Sequence, residues 1–342
     1  MIDTELNKLQ DDFPLSIQWE QPSVIRHVAD IGGTQIHLAG LSTLDRAGQC
    51  ICGSAGQLAG SPLPRAYYEL VERTAIIEAI GRAQQEFEVQ DGEGEVVGKA
   101  PSAEVFPRSS DEESWRYARS NGVAVGVDWQ DATHRAALEL IERDRVLRSW
   151  YGEIMPLRLE ISSSPVPRSL DRHYNFETYV FPGEVECGDT ANVVGIFGFP
   201  LQESAPLVFG LGARYQLHEA LAAAACECLQ RLGFLWGEAI PDVLPTFAPT
   251  PDFHQEFYLH RPNQARLLAW LRGNHVKFAG ILGAGPREPG APFFVDLTPD
   301  ALRSRLVIAK ALPANKLALT FGRGHPRLKC APPEMLAIHP IT

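Results

Sequence analysis

The chain has 342 residues, 45% of them hydrophobic and 21% charged, with a formal net charge of -11. That composition can bury the core of one large globular unit, and the lack of any Lys/Arg-rich run excludes direct nucleic-acid binding. No apolar stretch approaches the ~20 residues that span a bilayer, and the polar, acidic start MIDTELNKLQDDF is no secretory signal, so a cytoplasmic enzyme is expected.

Residues 1–23 form a polar arm. Residues 24–52 alternate as strands, with Asp30-Ile31-Gly32-Gly33 and Leu44-Asp45-Arg46-Ala47-Gly48 as turns. Gly53-Ser54-Ala55-Gly56-Gln57 is expected to be a Gly-rich loop whose backbone N–H groups could approach phosphate. A helix follows from Pro64 to about Phe87, with proline in its first turn. Residues 88–118 are acidic and aperiodic and predict an exposed loop bordering a substrate site. Ser120-Asn121-Gly122 is a turn leading into small apolar residues. From Ala132 the apolar positions Ala132, Ala136, Leu140, Ile141 and Leu147 fall near a 3.6-residue period, with Asp131 as N-cap. Leu157, Leu159 and Ile161 alternate as a strand. Residues 162–168 form a turn, and 179–181 and 193–199 are strands, the second apolar enough to be central. A helix begins near Gln216, and 237–252 is Pro-rich and extended. Residues 264–272 are amphipathic, 307–311 is a strand and 322–327 a turn. Elements mix without strict βαβ alternation, which predicts an α+β (mixed α/β) single unit. The six cysteines, Cys50, Cys52, Cys187, Cys226, Cys228 and Cys330, form no C-x-x-C pair and are expected to be buried free thiols.

Three helices share one pattern. Glu69-x-x-Glu72-Arg73, Glu139-x-x-Glu142-Arg143 and Glu227-x-x-Gln230-Arg231 each sit inside an Ala/Leu/Ile-rich run. Side chains three apart project from one helical face. A single Glu139–Arg143 pair would suit a solvated face. Three such motifs, one of them flanked by 222–225 alanines and two cysteines, do not. Five carboxylates and a carboxamide are hard oxygen ligands of the kind that Mg²⁺ takes together with substrate phosphates. A polyvalent cation relieves their mutual repulsion, and the arginines can face phosphate oxygens.

RAYYELVER (65–73), SNGVAVG with ALELIERD (120–144), and GLGARYQLHEALAAAACECLQR (210–231), in this order, resemble the YcaO family. AKALPANKLALTFGRGHPRL (309–328) looks like the family's late segment. The resemblance covers residues 24–342 and implies a YcaO-like unit that binds ATP and Mg²⁺ and activates peptide backbone amides. It implies Glu69, Glu72, Glu139, Glu142, Glu227 and Gln230 as the metal set. Glu142 and Arg143 would be catalytic, and Ser54, Arg73, Ser120, Asn121, Arg143 and Gln230 would hold the nucleotide. The implied reaction is cyclodehydration of Cys, Ser or Thr in a ribosomally made precursor peptide to azolines. Thioamide or macrocyclic amidine formation, and a non-catalytic ATP-binding scaffold, are the alternatives. Two departures from the family pattern stand out. Gln57 occupies a place that is often basic, and the tail 331–342 keeps only Pro340 of an alternating proline motif, with Ile338 and Thr342 in the other places. Because residues 1–23 are too few for a leader-binding domain, a separate leader-binding partner protein is expected, and a homodimer is an allowed assembly. His254 and His260 are expected to be ordinary surface or core histidines.

Overall fold

The structure is a computed structural model that describes residues 3–82, 85–161, 164–183, 190–273, 292–313, 315–330 and 332–341. Helix α1 (Thr4–Asp12) is capped by Asp3, whose carboxylate accepts from Leu6 N at 3.1 Å, and it buries Leu6 and Leu9. The arm is therefore partly packed on the body, because its two leucines share one helical face.

Strands β1 (Ser23–Ile31), β2 (Thr34–Leu44) and β3 (Cys50–Gln57) form an antiparallel sheet in that order. The stretch 53–57, expected to be a loop, is the end of β3. Its glycines serve close packing rather than turning. A Cβ on Gly53 would overlap the backbone of the next helix at Ala66 and Leu70, and one on Gly56 would meet Gln230 Cα at 2.7 Å. Helix α2 (Leu63–Gly81) follows, starting one residue before Pro64 and ending six before Phe87.

The segment 88–118 is also a correction. It contributes to β4 (Glu86–Gln90) and forms β5 (Val96–Pro101), α3 (Ser102–Val105) and β6 (Trp115–Tyr117). Phe87 and Val89 point into the core while Glu86 and Glu88 face outward. Asp91 closes the hairpin by accepting from Glu93 N and Glu95 N at 3.0 Å each. The charged half of a period-2 strand made the run look aperiodic.

Strand β7 (Val123–Gly126) leads into α4 (Trp129–Trp150). The cap of α4 is Asp128, which accepts from Asp131 N at 2.8 Å, one turn earlier than the Asp131 expected. Strands β8 (Leu157–Arg158), β9 (Tyr174–Val180), β10 (Asn192–Pro200) and β11 (Val208–Arg214) make a second sheet, in order β11-β10-β9-β8, with β10 central as its apolar run predicts. The expected turn at 162–168 lies partly outside the described residues. Helix α5 (Leu217–Leu235) begins after Gln216 as expected. Helices α6 (Pro251–Leu259) and α7 (Gln264–Leu271) follow, then β12 (Phe294–Asp296), β13 (Val307–Ala311) and β14 (Thr320–Gly322). A five-stranded sheet runs β5-β4-β12-β13-β7, and β14 pairs with β6. Every strand pairing among the described residues is antiparallel, which suits the mixed α+β expectation.

The tail is not frayed. Leu336, Ile338, His339 and Ile341 are buried. His254 Nε2 accepts from Gly322 N at 2.8 Å, so its Nδ1 carries the hydrogen and donates to His339 O at 2.8 Å. Burial holds His254 well below its ordinary range, and it is a neutral strut rather than a substrate contact. The five described cysteines are free, but Cys50, Cys52 and Cys330 are exposed, contrary to expectation, and Cys187 lies outside the described residues. Among the described residues no helix is long and apolar enough to cross a membrane.

Candidate functional site

Each of the three Glu-bearing helices lies on the strand that precedes it, at a distance set by glycine. Gly53 of β3 touches α2, Gly126 of β7 touches the start of α4, and Gly210 and Gly212 of β11 touch α5. At each, a Cβ would overlap helix backbone. The first glutamate of each motif then reaches back to a main-chain N–H. Glu69 accepts from Ser54 N at 2.6 Å, 15 residues upstream. Glu139 accepts from Gly122 N at 3.1 Å, 17 residues upstream, and Glu227 from Leu211 N at 2.9 Å, 16 residues upstream. The same strand–helix unit occurs three times, and no fixed-period repeat in the sequence announces it.

The second residue of each motif has a different role. Gln230 closes the gap between α5 and β3, accepting from Gly56 N at 3.2 Å and donating to Ser54 O and Ser54 Oγ at 3.4 Å. Glu72 and Glu142 make no hydrogen bond or ion pair among the described residues. Glutamates of neighbouring helices act on both. Burial, then Glu139 and Glu69, push the Glu72 carboxyl well above its usual range. Burial, then Glu227 and, after the opposing Arg143, Glu139, push Glu142 up to about 8. Burial also raises Glu139 and Glu227. The five carboxylates from α2, α4 and α5 thus form one connected group, deeply set yet partly open to solvent.

Cations border this group. Arg73 pairs with Glu69 at 2.6 Å and donates to Cys52 O at 2.9 Å. Arg143 pairs with Glu139 at 2.6 Å and donates to Asn121 Oδ1 at 3.2 Å. Arg231 stacks on the Phe209 ring, 4.0 Å from its centroid. Lys310, not singled out from the sequence, is buried in β13, donates to Asn121 O at 2.8 Å and feels Glu139 and Glu72. Its desolvation lowers it to about 8. The signal for it was a lone lysine inside the apolar run Val307-Ile308-Ala309-Lys310-Ala311.

The residues expected to hold the nucleotide differ in their surroundings. Asn121 is buried, and its Oδ1 also accepts from Leu319 N at 3.1 Å, so it braces Arg143 and Lys310. Ser120 closes the turn through its backbone, its carbonyl accepting from Val123 N at 3.1 Å. The N–H groups of Ser54 and Gly56, expected to approach phosphate, are committed to Glu69 and Gln230.

Does this donor set fit Mg²⁺? Among the described residues no three His, Cys, Asp or Glu side chains stand at metal-ligating separation. Glu69 and Glu139 are turned toward their arginines, and the like charges hold one another apart. Mg²⁺ prefers one or two carboxylates, waters and phosphate oxygens over an all-protein cage. Two unpaired carboxylates, each raised by neighbouring glutamates rather than by the other, therefore fit a cation that arrives with a polyphosphate.

The comparisons with known proteins agree. No curated protein matches the sequence. The fold is similar to that of the structure titled YcaO from Methanopyrus kandleri bound with AMPPCP and Mg²⁺, with TM-score 0.59, 19% identity, and 91% of this chain and 90% of that one covered. It is also similar to a heterocyclase in complex with substrate and cofactor, with TM-score 0.56 and 13% identity over 91% of this chain. Of that heterocyclase the chain spans about half, 52%. At such identities the likeness speaks for the fold alone. The family model described as YcaO cyclodehydratase, ATP- and Mg²⁺-binding, matches residues 100–292, more than half of the chain. With three carboxylate-bearing helices gathered on one site and that match across α4 and α5, the chain belongs to the YcaO family.

Proposed function

We propose that this protein uses ATP with Mg²⁺ to activate backbone amides of a ribosomally made peptide, and that the outcome is cyclodehydration of Cys, Ser or Thr to azolines. One observation carries the proposal: Glu72 and Glu142 stand unpaired among three backbone-anchored glutamates. Glu72 and Glu142 would contact the cation that comes with the polyphosphate, Glu69, Glu139 and Glu227 would complete its acidic surround, and Gln230 would fix α5 against β3. Bound Mg²⁺ would neutralise charge on the phosphoryl oxygens. Arg143, fixed by Glu139 and Asn121, has N–H groups left to face phosphate, and Arg73 lies at the more open rim. Ser54, Ser120 and Asn121 border the nucleotide through backbone and bracing contacts.

A peptide amide oxygen is a poor leaving group. In the proposed reaction the substrate's own Cys, Ser or Thr side chain adds to the preceding amide carbon. The former amide oxygen takes the γ-phosphoryl group and departs as phosphate, leaving the ring. Each azoline costs the peptide one water. The protein's part is positioning and electrostatic stabilisation. A separate leader-binding protein would present the precursor.

The test is ATP turnover with a Cys/Ser/Thr-rich precursor, comparing wild type with Glu142→Gln, and the mass of the peptide afterwards. Loss of water with turnover abolished in the variant is expected. Equal turnover in both would end the catalytic assignment, and oxygen-to-sulfur exchange would end the azoline assignment.

A further inference from the structure

A cavity of about 710 Å³ lies between the segment 102–119 and the stretch from Lys310 to Ala318. Its lining carries four cations, Arg108, Arg116, Arg119 and Lys310, against one carboxylate, Glu112. That excess opposes the sign of the whole chain, whose net charge is -11. Arg108 and Arg119 are exposed, and among the described residues neither makes a hydrogen bond or ion pair. Arg116 is held by its Nε on Glu112 O at 2.9 Å, which leaves its terminal nitrogens free of that bond. Lys310 forms the floor, resting on Asn121 O and 5.5 Å from the Phe106 ring centroid. Unpaired guanidinium groups in a concave, partly apolar site are suited to a carboxylate or phosphate, which they bind through paired N–H donors.

Two features separate this cavity from the carboxylate cluster while joining the two. Asn121 and Lys310 belong to both: Asn121 braces Arg143, and Lys310 feels Glu139 and Glu72. Yet none of Glu69, Glu72, Glu139, Glu142 or Glu227 lines the cavity. A triphosphate that shares a cation with those glutamates must sit among them, outside it. A peptide whose amide reaches the cluster must run its flanking residues into adjoining space.

Resting on the function proposed above, we infer that this cavity receives an acidic side chain of the substrate peptide, next to the amide that is modified. Arg108 and Arg119 supply the recognition, with Arg116 behind them, and Lys310 marks the end nearest the chemistry. The substrate class is thus narrowed to precursors with Asp or Glu close to the modified Cys, Ser or Thr.

The probe is a fluorescein-labelled Gly-Asp-Glu-Asp-Gly peptide, with Gly-Asn-Gln-Asn-Gly as its uncharged twin, followed by fluorescence polarisation with the full chain. Wild type should prefer the acidic probe, and the preference should weaken with salt. Arg108→Ala and Arg119→Ala should each weaken acidic-probe binding about threefold, as for partly exposed ion pairs. Arg108→Glu with Arg119→Glu should abolish the preference, and Arg119→Lys should retain most of it. AMPPCP–Mg²⁺ binding, measured separately by calorimetry, should be unchanged in all of them. A wild type that does not discriminate the probes overturns the inference. So does loss of AMPPCP–Mg²⁺ binding in the arginine variants, which would assign the cavity to phosphate. A wild type that binds no AMPPCP–Mg²⁺ but keeps its acidic preference would overturn the proposed function and still support the cavity's assignment.

Discussion

Glu142→Gln tests the convergence of the carboxylates without any ligand. Burial, Glu227 and Glu139 push Glu142 up to about 8, from an ordinary value of 4.5. A folded-state value above the unfolded one means that this group's contribution to stability is fully present below about pH 4.5 and is lost as pH rises through about 8. At pH 7 the linkage reaches about 3 kcal/mol as an upper limit, and the side chain's partial exposure brings it to about 1.5 kcal/mol. Glutamine keeps the shape and removes the charge. The nucleotide-free variant should therefore melt about 2–4 °C higher than wild type at pH 7.5. The gain should shrink to about a quarter of that at pH 5, where wild-type Glu142 is already almost wholly protonated. Differential scanning fluorimetry at the two pH values reads both. A variant that melts at or below wild type at pH 7.5 would mean that Glu142 does not stand among like charges, and the site would lose its basis.

Gly210→Val should push α5 off β11, because a Cβ there overlaps Ala224 O and Cys228 N. A loss of about 1–3 kcal/mol in urea unfolding, together with lost ATP turnover, is expected, whereas Gly40→Ala, with open space around it, should change neither. Asp144 Oδ1 takes Arg148 Nε at 2.8 Å and Leu317 N at 2.6 Å in the core. Asp144→Ala leaves Leu317 N without its acceptor and leaves the buried Arg148 guanidinium to Glu153 alone, 2.6 Å away, so it should cost about 1–3 kcal/mol by the same urea assay. Lys310→Met removes a cation that lowers Glu139, so the acidic limb of the turnover–pH profile should move to higher pH. An unmoved limb would show that Lys310 does not act on the cluster.

The spacing of Glu69/Glu72, Glu139/Glu142 and Glu227/Gln230 was legible because a helix puts residues three apart on one face, and Ala/Leu-rich surroundings said that this face was not free in water. Strand β10 was legible as an unbroken apolar run. What misled was glycine. In sequence Gly53 and Gly56 signal a loop, but here they let α2 and α5 lie against β3, and only the three-dimensional approach tells the two uses apart. Residues 88–118 misled for another reason: the outward charges of β4 and the hairpin hid its alternation. Lys310 went unnoticed because one cation in a strand has no spacing to betray it. The cavity beside it brings together α3, β6 and β13, some 200 residues apart in the chain, which no local pattern encodes.

The hydrogen bonds from Ser54 N, Gly122 N and Leu211 N turn the number of residues along each helix into a ruler. A helix advances about 100° per residue. One residue inserted within the helix, between 63 and 69, would swing Glu69 off its anchor and carry Glu72 out of the cluster, while one inserted in the exposed loop 58–61 can bulge outward and leave both in place. Along the first turns of these three helices, then, the chain should tolerate changes of spelling far better than changes of length.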